Sequence, residues 1–212
     1  MTRLNRILRG ACVVFLFIQK WFSKVMQHYE RRITLADSNI TKKALAGALK
    51  ELLHSKPFSK ISVGEICKKC SMNRKSFYYH FRDKYDLMVW IFRSEFDEHS
   101  AGKKYDSIWE AFEDLCVYLN DNRSFYRKAL AVKGQNSFSE YFRDNCLSEY
   151  IEYIVSRSDA PCRCRFCRDF FSDAFVCSIE RWLNEEKDMS PEIFVKLLSA
   201  CFEKTQSMEV KV

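Results

Sequence analysis

The stretch from Ile61 to Lys84, ISVGEICKKCSMNRKSFYYHFRDK, leaves little freedom in what this chain can fold into. Ser62 followed three residues later by Glu65 is a capping box, in which each side chain satisfies a backbone N–H left unpaired at a helix start. Val63, Ile66 and Cys67 then recur at helical spacing. Ser71 and Met72 fall in a turn, and Asn73 stands at the cap of a second helix running to about Phe81. On that helix Phe77 and Phe81 are four residues apart and share one face, which turns them inward. Arg74, Lys75, Ser76, Tyr78, Tyr79 and His80 occupy the remaining faces. A short basic and aromatic helix braced by a preceding helix is a helix-turn-helix, whose second helix enters the major groove of DNA. The competing reading, a surface hairpin with a solvated basic face, leaves the agreement of caps, turn and inward pair unexplained.

The order SV-x-EI-x-x-x-CSMNRKSFYYHF-x-DK-x-DL resembles the DNA-binding domain of the TetR/AcrR transcriptional regulators. Its most specific part is FYYHF followed by Asp83, Lys84 and Leu87. One residue departs: Ser71 stands where the family usually has a turn glycine, so a non-glycine residue is expected to take positive φ there. The resemblance implies an all-α fold, with an N-terminal three-helix DNA-binding domain and a C-terminal helical domain that binds ligand and dimerises. It further implies a homodimer on a palindromic double-stranded operator, a small-molecule effector, a cytoplasmic location and no cofactor. Around NRSFYRKAL the C-terminal half is loosely similar to the subgroup containing the dihydroxyacetone-kinase regulators. Some members of that subgroup act through a partner protein, so a protein co-regulator belongs among the expected partners.

Charge supports the same division. The net charge is +7, but residues 41–84 alone carry eleven Lys/Arg against three acids, and residues 85–212 carry seventeen against twenty-three. A basic helix-turn-helix joined to an acidic remainder is the footprint of phosphate attraction confined to one face. Only 5 Gly and 3 Pro occur, which fits long helices with few irregular connections. The ten cysteines are scattered through helical segments of a chain too large to need stapling, which reads as reduced thiols rather than a secreted disulfide scaffold.

Residues 1–37 form an N-terminal extension. Arg3, Arg6 and Arg9 precede the apolar run Ala11–Ile18, which imitates a signal peptide yet is too short to span a bilayer. Tethering or an amphipathic surface extension would account for it, but a natural start at Met26 is the expectation. The last leaves a length usual for the resembled family, and with it no stable membrane association is expected. The DNA-binding domain with its connecting helix is read over 38–98. Its first helix runs from Ser38 to about His54, stopped by Pro57. The effector-binding and dimerisation domain follows over 99–212, beyond a boundary at His99–Lys104 containing Gly102. Helices are expected over Ile108–Leu119, Arg123–Val132, Ser137–Val155, Cys167–Glu186 and Pro191–Lys204.

For DNA, Arg74, Lys75, Ser76 and Tyr79 are the candidates near base edges, with Asn73 at the cap. Thr41, Ser62, Tyr78, His80 and, by the resemblance, Lys84 are expected on phosphates. Phe175, Ile179, Trp182, Phe194, Leu198 and Phe202 on the last two helices are expected to form the dimer face. Trp90, Trp109, Phe112 and Tyr126 are expected to line an effector pocket. Cys162, Cys164 and Cys167 have spacing that suits a soft metal or an oxidant sensor, but no fourth ligand lies nearby in sequence, so no metal is expected. No nucleophile–base pair, metal motif or phosphate-binding loop is present, which argues against an enzyme. The alternative that survives is a ligand- or partner-binding co-regulator of the same fold that no longer binds DNA itself.

Overall fold

Among the described residues, several helix starts are fixed by capping side chains, three of them in and around the helix-turn-helix. A computed structural model describes residues 35–157, 165–185 and 189–206. Helix α1 (Leu35–Ser55) buries Leu45, Leu49 and Leu53 on one face and ends before Pro57. A 3-10 turn (Phe58–Lys60) then directs Phe58 and Ile61 into the interior. Helix α2 (Val63–Lys69) begins with the expected box: Glu65 N donates to Ser62 Oγ at 3.3 Å, and Ser62 N donates to Glu65 Oε2 at 2.8 Å.

The turn out of α2 is a Schellman motif, with Met72 N donating to Cys67 O at 2.8 Å and Ser71 N to Lys68 O at 3.3 Å. This motif requires a left-handed residue at its centre, and Ser71 takes it with φ 56°. Asn73 then caps α3 (Arg74–His80) by accepting from Ser76 N at 2.8 Å. Helix α4 (Lys84–Ser100) is capped by Asp83, which accepts from Tyr85 N and Asp86 N, both at 2.8 Å.

Helix α4 belongs to both halves of the molecule. Leu87, Met88 and Ile91 lie in its first half, nearer the three-helix unit, and are buried. Farther along, Phe92 sits in an aromatic cluster, 5.5 Å from the rings of Phe138 and Phe142 and 5.9 Å from Tyr126. The second half comprises α5 (Ile108–Asp121), α6 (Arg123–Leu130), the short α7 (Phe138–Tyr141), a π-helical turn (Phe142–Leu147), α8 (Ser148–Arg157), α9 (Arg165–Asn184) and α10 (Pro191–Gln206). The helix expected over Ser137–Val155 therefore carries a π-helical interruption that apolar periodicity did not reveal. Helices α9 and α10 lie side by side and antiparallel. Trp182 stacks on Phe194 at 4.5 Å near one end, and Phe171 meets Phe202 at 4.8 Å near the other.

The N-terminal run Ala11–Ile18, Met26, Cys162 and Cys164 lie outside the described residues. Among the described residues there is no disulfide, no cluster of three side chains suited to a metal, and no helix long and apolar enough to cross a membrane.

Candidate DNA-binding site

Helix α3 is held by its two inward rings. Phe77 and Phe81 are buried, 5.8 Å apart, and Phe81 packs against Trp90 of α4 at 5.8 Å. Anchoring one face leaves the other in solvent: Arg74, Lys75, Tyr78 and Tyr79 are exposed, Tyr79 by 72%. Large aromatic side chains left in water on a rigid helix suit base edges and thymine methyls, and the cations beside them suit phosphate.

Several neighbours of this surface act by positioning it. Asn73 and Ser76 are bonded to each other through Asn73 Oδ1, at 2.8 Å from Ser76 N and 3.2 Å from Ser76 Oγ. The Arg74 guanidinium lies across Gly64 of α2, so close that a Cβ there would stand 2.6 Å from one terminal nitrogen. Gly64 is a positioning residue that sequence reasoning missed; its signal was a glycine in the first turn of a short helix, where alanine is otherwise better. The Ser62 hydroxyl donates to Glu65 Oε2 at 2.9 Å inside the capping box. The box carboxylate also pairs with Lys56, and that partner, followed by the Ser62 donors, holds Glu65 down to about 2. Thr41 is half-buried on α1 beside Lys42, whose ammonium lies 5.9 Å from the centre of the Trp90 ring. Burial, and then Lys42, depress the His80 imidazole below its ordinary range.

Lys84 corrects the expectation drawn from resemblance. Its ammonium donates to Ile61 O at 2.7 Å, Phe58 O at 2.9 Å and Ser59 O at 3.4 Å. An ammonium has three N–H donors, and all three are used inside the fold. Lys84 is the clasp that closes the connection between α1 and α2 onto the start of α4.

The C-terminal half is joined to this unit by polar contacts at two levels. Lys50 of α1 pairs with Glu95 of α4 at 2.5 Å, Tyr118 donates to Glu95 at 3.3 Å, and the Tyr118 and Tyr126 hydroxyls meet at 2.6 Å. Helix α6 is a strut. Lys128 donates to Leu53 O and, at 3.4 Å, to His54 O, the last carbonyls of α1; Arg123 donates to Trp182 O at 2.8 Å and Glu185 O at 2.5 Å, at the end of α9. Cations at helix C-termini are favoured by the dipole, so each contact stabilises two elements at once.

Two other expectations are corrected by burial. Phe175, Ile179, Trp182, Phe194 and Phe202 are buried within the single chain, and Leu198 packs half-buried against the same core. They hold α9 and α10 to α5 and to each other, and of the six Leu198 alone keeps part of its surface outward. The apolar side chains left outward are Phe166 and Phe170 on α9 and Ile193 and Leu197 on α10, exposed by 73%, 55%, 52% and 52%. The four aromatic residues expected around an effector do not share a cavity. Phe112 and Tyr126 are sealed in different ring clusters, Trp90 packs against Phe81, and Trp109 stands against Phe175 and Phe202.

Comparison with known proteins agrees with this geometry. A family model described as bacterial regulatory proteins, tetR family, matches residues 45–89. A model described as transcriptional regulator C-terminal region matches residues 106–204. The chain is similar to the HTH-type dhaKLM operon transcriptional activator DhaS of Lactococcus lactis, 28% identical over 157 residues that cover 70% of this chain and 82% of that protein. Among solved structures, a TetR transcriptional regulator from Streptococcus agalactiae shares the fold with a TM-score of 0.63 at 20% identity, over 78% of this chain and 94% of that one. The dihydroxyacetone kinase operon activator DhaS aligns with a TM-score of 0.55 at 21% identity, over 78% and 96% of the two chains.

Proposed function

The chain belongs to the TetR family of bacterial transcriptional regulators, and from that premise we propose that it acts as a homodimer on a palindromic operator, reading DNA through α3. The observation that carries this reading is the exposed Arg74–Lys75–Tyr78–Tyr79 surface on a helix whose opposite face is locked by Phe77 and Phe81. Lys75 and Tyr79 meet base edges, Arg74 is aimed from its seat on Gly64, and Tyr78, Thr41 and His80 lie toward phosphates. Asn73, Ser62 and Lys84 hold the element in place.

One helix-turn-helix reads few base pairs, so two copies about 34–36 Å apart are needed to meet successive major grooves. The surface that supports pairing is the outward side of α9 and α10. Phe170 with Cys177, and Ile193 with Leu197 and Cys201, leave apolar and small side chains in solvent there. A second copy related by a two-fold axis would cover them in a four-helix contact. An effector acting on the C-terminal half reaches the DNA-binding half through the α6 strut. The site of action is the cytoplasm, with the DNA.

Binding of purified protein to selected DNA, followed by fluorescence anisotropy across a salt series, tests the reading. Affinity should fall steeply with salt. Lys75→Ala and Tyr79→Ala should each weaken the selected site by roughly 1–3 kcal/mol and relax its sequence preference. Equal affinity of both variants and wild type for all sequences would remove α3 as the reader and favour the co-regulator that has lost DNA binding.

A further inference from the structure

A cavity of about 610 Å³ opens between the first half of α9 and the wall formed by the π-helical turn and α8. Every residue that lines it is polar or charged, unlike the aromatic interior beside it. Ser172 of α9 faces it with only 4% of its surface exposed, and its hydroxyl is buried with no hydrogen-bond partner among the described residues. A buried hydroxyl left unpaired is costly, and native folds keep such groups where something polar meets them.

The charges around it are unevenly balanced. On the π-helical wall Arg143 is engaged by Asp144 at 2.7 Å and Asp173 at 3.4 Å. On α9, Arg165 and Arg168 share the single carboxylate of Asp169, at 3.4 Å and 4.0 Å. Both guanidiniums stand in the first turn of a helix that has no acid there, where the dipole already favours a negative group. Around Arg165, Arg168 and Asp169 the start of α9 therefore carries one more cation than anion and is rich in donors, while Asp173 farther along α9 and Asp144 and Glu152 on the opposite wall make the rest of the cavity an acceptor.

We propose that this cleft is the effector site and that its ligand is a small hydroxylated oxyanion, a carboxylate or phosphate ester. Its anionic head sits against Arg165, Arg168 and the Ser172 hydroxyl, and its neutral hydroxyls donate to the acids opposite. The π-helical turn re-aims Arg143 and Asp144 toward the cleft, a use typical of such insertions. Binding ties α9 to α8, and the far end of α9 is held by Arg123 of the strut that also caps α1. The inference rests on the reading of the chain as an effector-modulated regulator.

The test is calorimetric titration of the full chain with inorganic phosphate, lactate and glycerol at constant ionic strength, with operator affinity measured in parallel. Saturable one-to-one binding of phosphate or lactate but not glycerol is expected, and which of the two binds distinguishes the two head groups. Arg168→Gln should weaken it roughly tenfold or more and Ser172→Ala roughly fivefold, with circular dichroism unchanged. Lys75→Gln should leave it intact. No saturable binding by either anion overturns the proposal. So does binding that survives Arg168→Gln but is lost in Lys75→Gln, which puts the oxyanion on the DNA-contact face. Binding that obeys the cleft variants without changing operator affinity upholds the site and refutes effector control.

Discussion

Gly64→Ala separates the stability of the helix-turn-helix from its function in one substitution. The added Cβ would meet Arg74 at 2.6, 3.2 and 3.3 Å, all three nearest atoms belonging to that one guanidinium group. Ordinary contact begins near 3.4 Å, so the guanidinium must withdraw by about 1 Å. Arg74 is exposed and its end is flexible, so the withdrawal is cheap in stability. Replacing glycine by alanine inside a helix meanwhile contributes about 0.5–1 kcal/mol. The variant should be more stable by that amount in urea unfolding, with a melting temperature higher by about 1–4 °C. Its operator affinity should nonetheless fall by about 1–2 kcal/mol in anisotropy titrations, because Arg74 no longer rests on the backbone that aims it. Unchanged affinity alongside raised stability would show that the Gly64 seat does not position Arg74 for DNA. Lowered stability would show that more than a flexible side chain fills the space.

Ser71→Gly relieves a left-handed backbone at a non-glycine residue and should stabilise the fold by about 1 kcal/mol in the same unfolding assay, with DNA affinity preserved. Lys128→Met removes the cation from the end of α1 and should cost about 1–2 kcal/mol, most of it restored by Lys128→Arg; a change below about 0.3 kcal/mol would remove the strut from the account. Leu197→Asp should leave the chain folded but weaken self-association by about tenfold or more in sedimentation, whereas Ile179→Asp should unfold it, since the first side chain is exposed and the second buried. Glu65 titrates near 2 in the folded chain against an ordinary 4.5, so its contribution is fully present above about pH 4.5 and is lost as pH falls toward 2; Glu65→Gln should flatten that limb of the stability–pH curve.

What was legible in the sequence was local. The Ser62–Glu65 box and the Asn73 cap follow from side chains bonding to backbone within a few residues, the Phe77–Phe81 pair from helical spacing, and positive φ at Ser71 from its place where the resembled family has a turn glycine. Tertiary partners carried the rest. Lys84 resembles a phosphate contact until three carbonyls from the α1–α2 connection close around it. Helices α9 and α10 are apolar on more than one side, so periodicity could not say whether Ile179 or Leu197 faces the core. Ser172 in its polar cleft was illegible because the opposing wall, built on a π-helical turn, comes from residues 143–152.

The measurement that bears most directly on the central claim is sequencing of genomic fragments retained by the purified chain at moderate salt. The account predicts a few strongly enriched fragments carrying inverted half-sites with centres about one helical turn, or a small multiple of it, apart, and loss of that enrichment in Tyr79→Ala. Enrichment no greater than for random DNA, with the protein folded and dimeric, would contradict it.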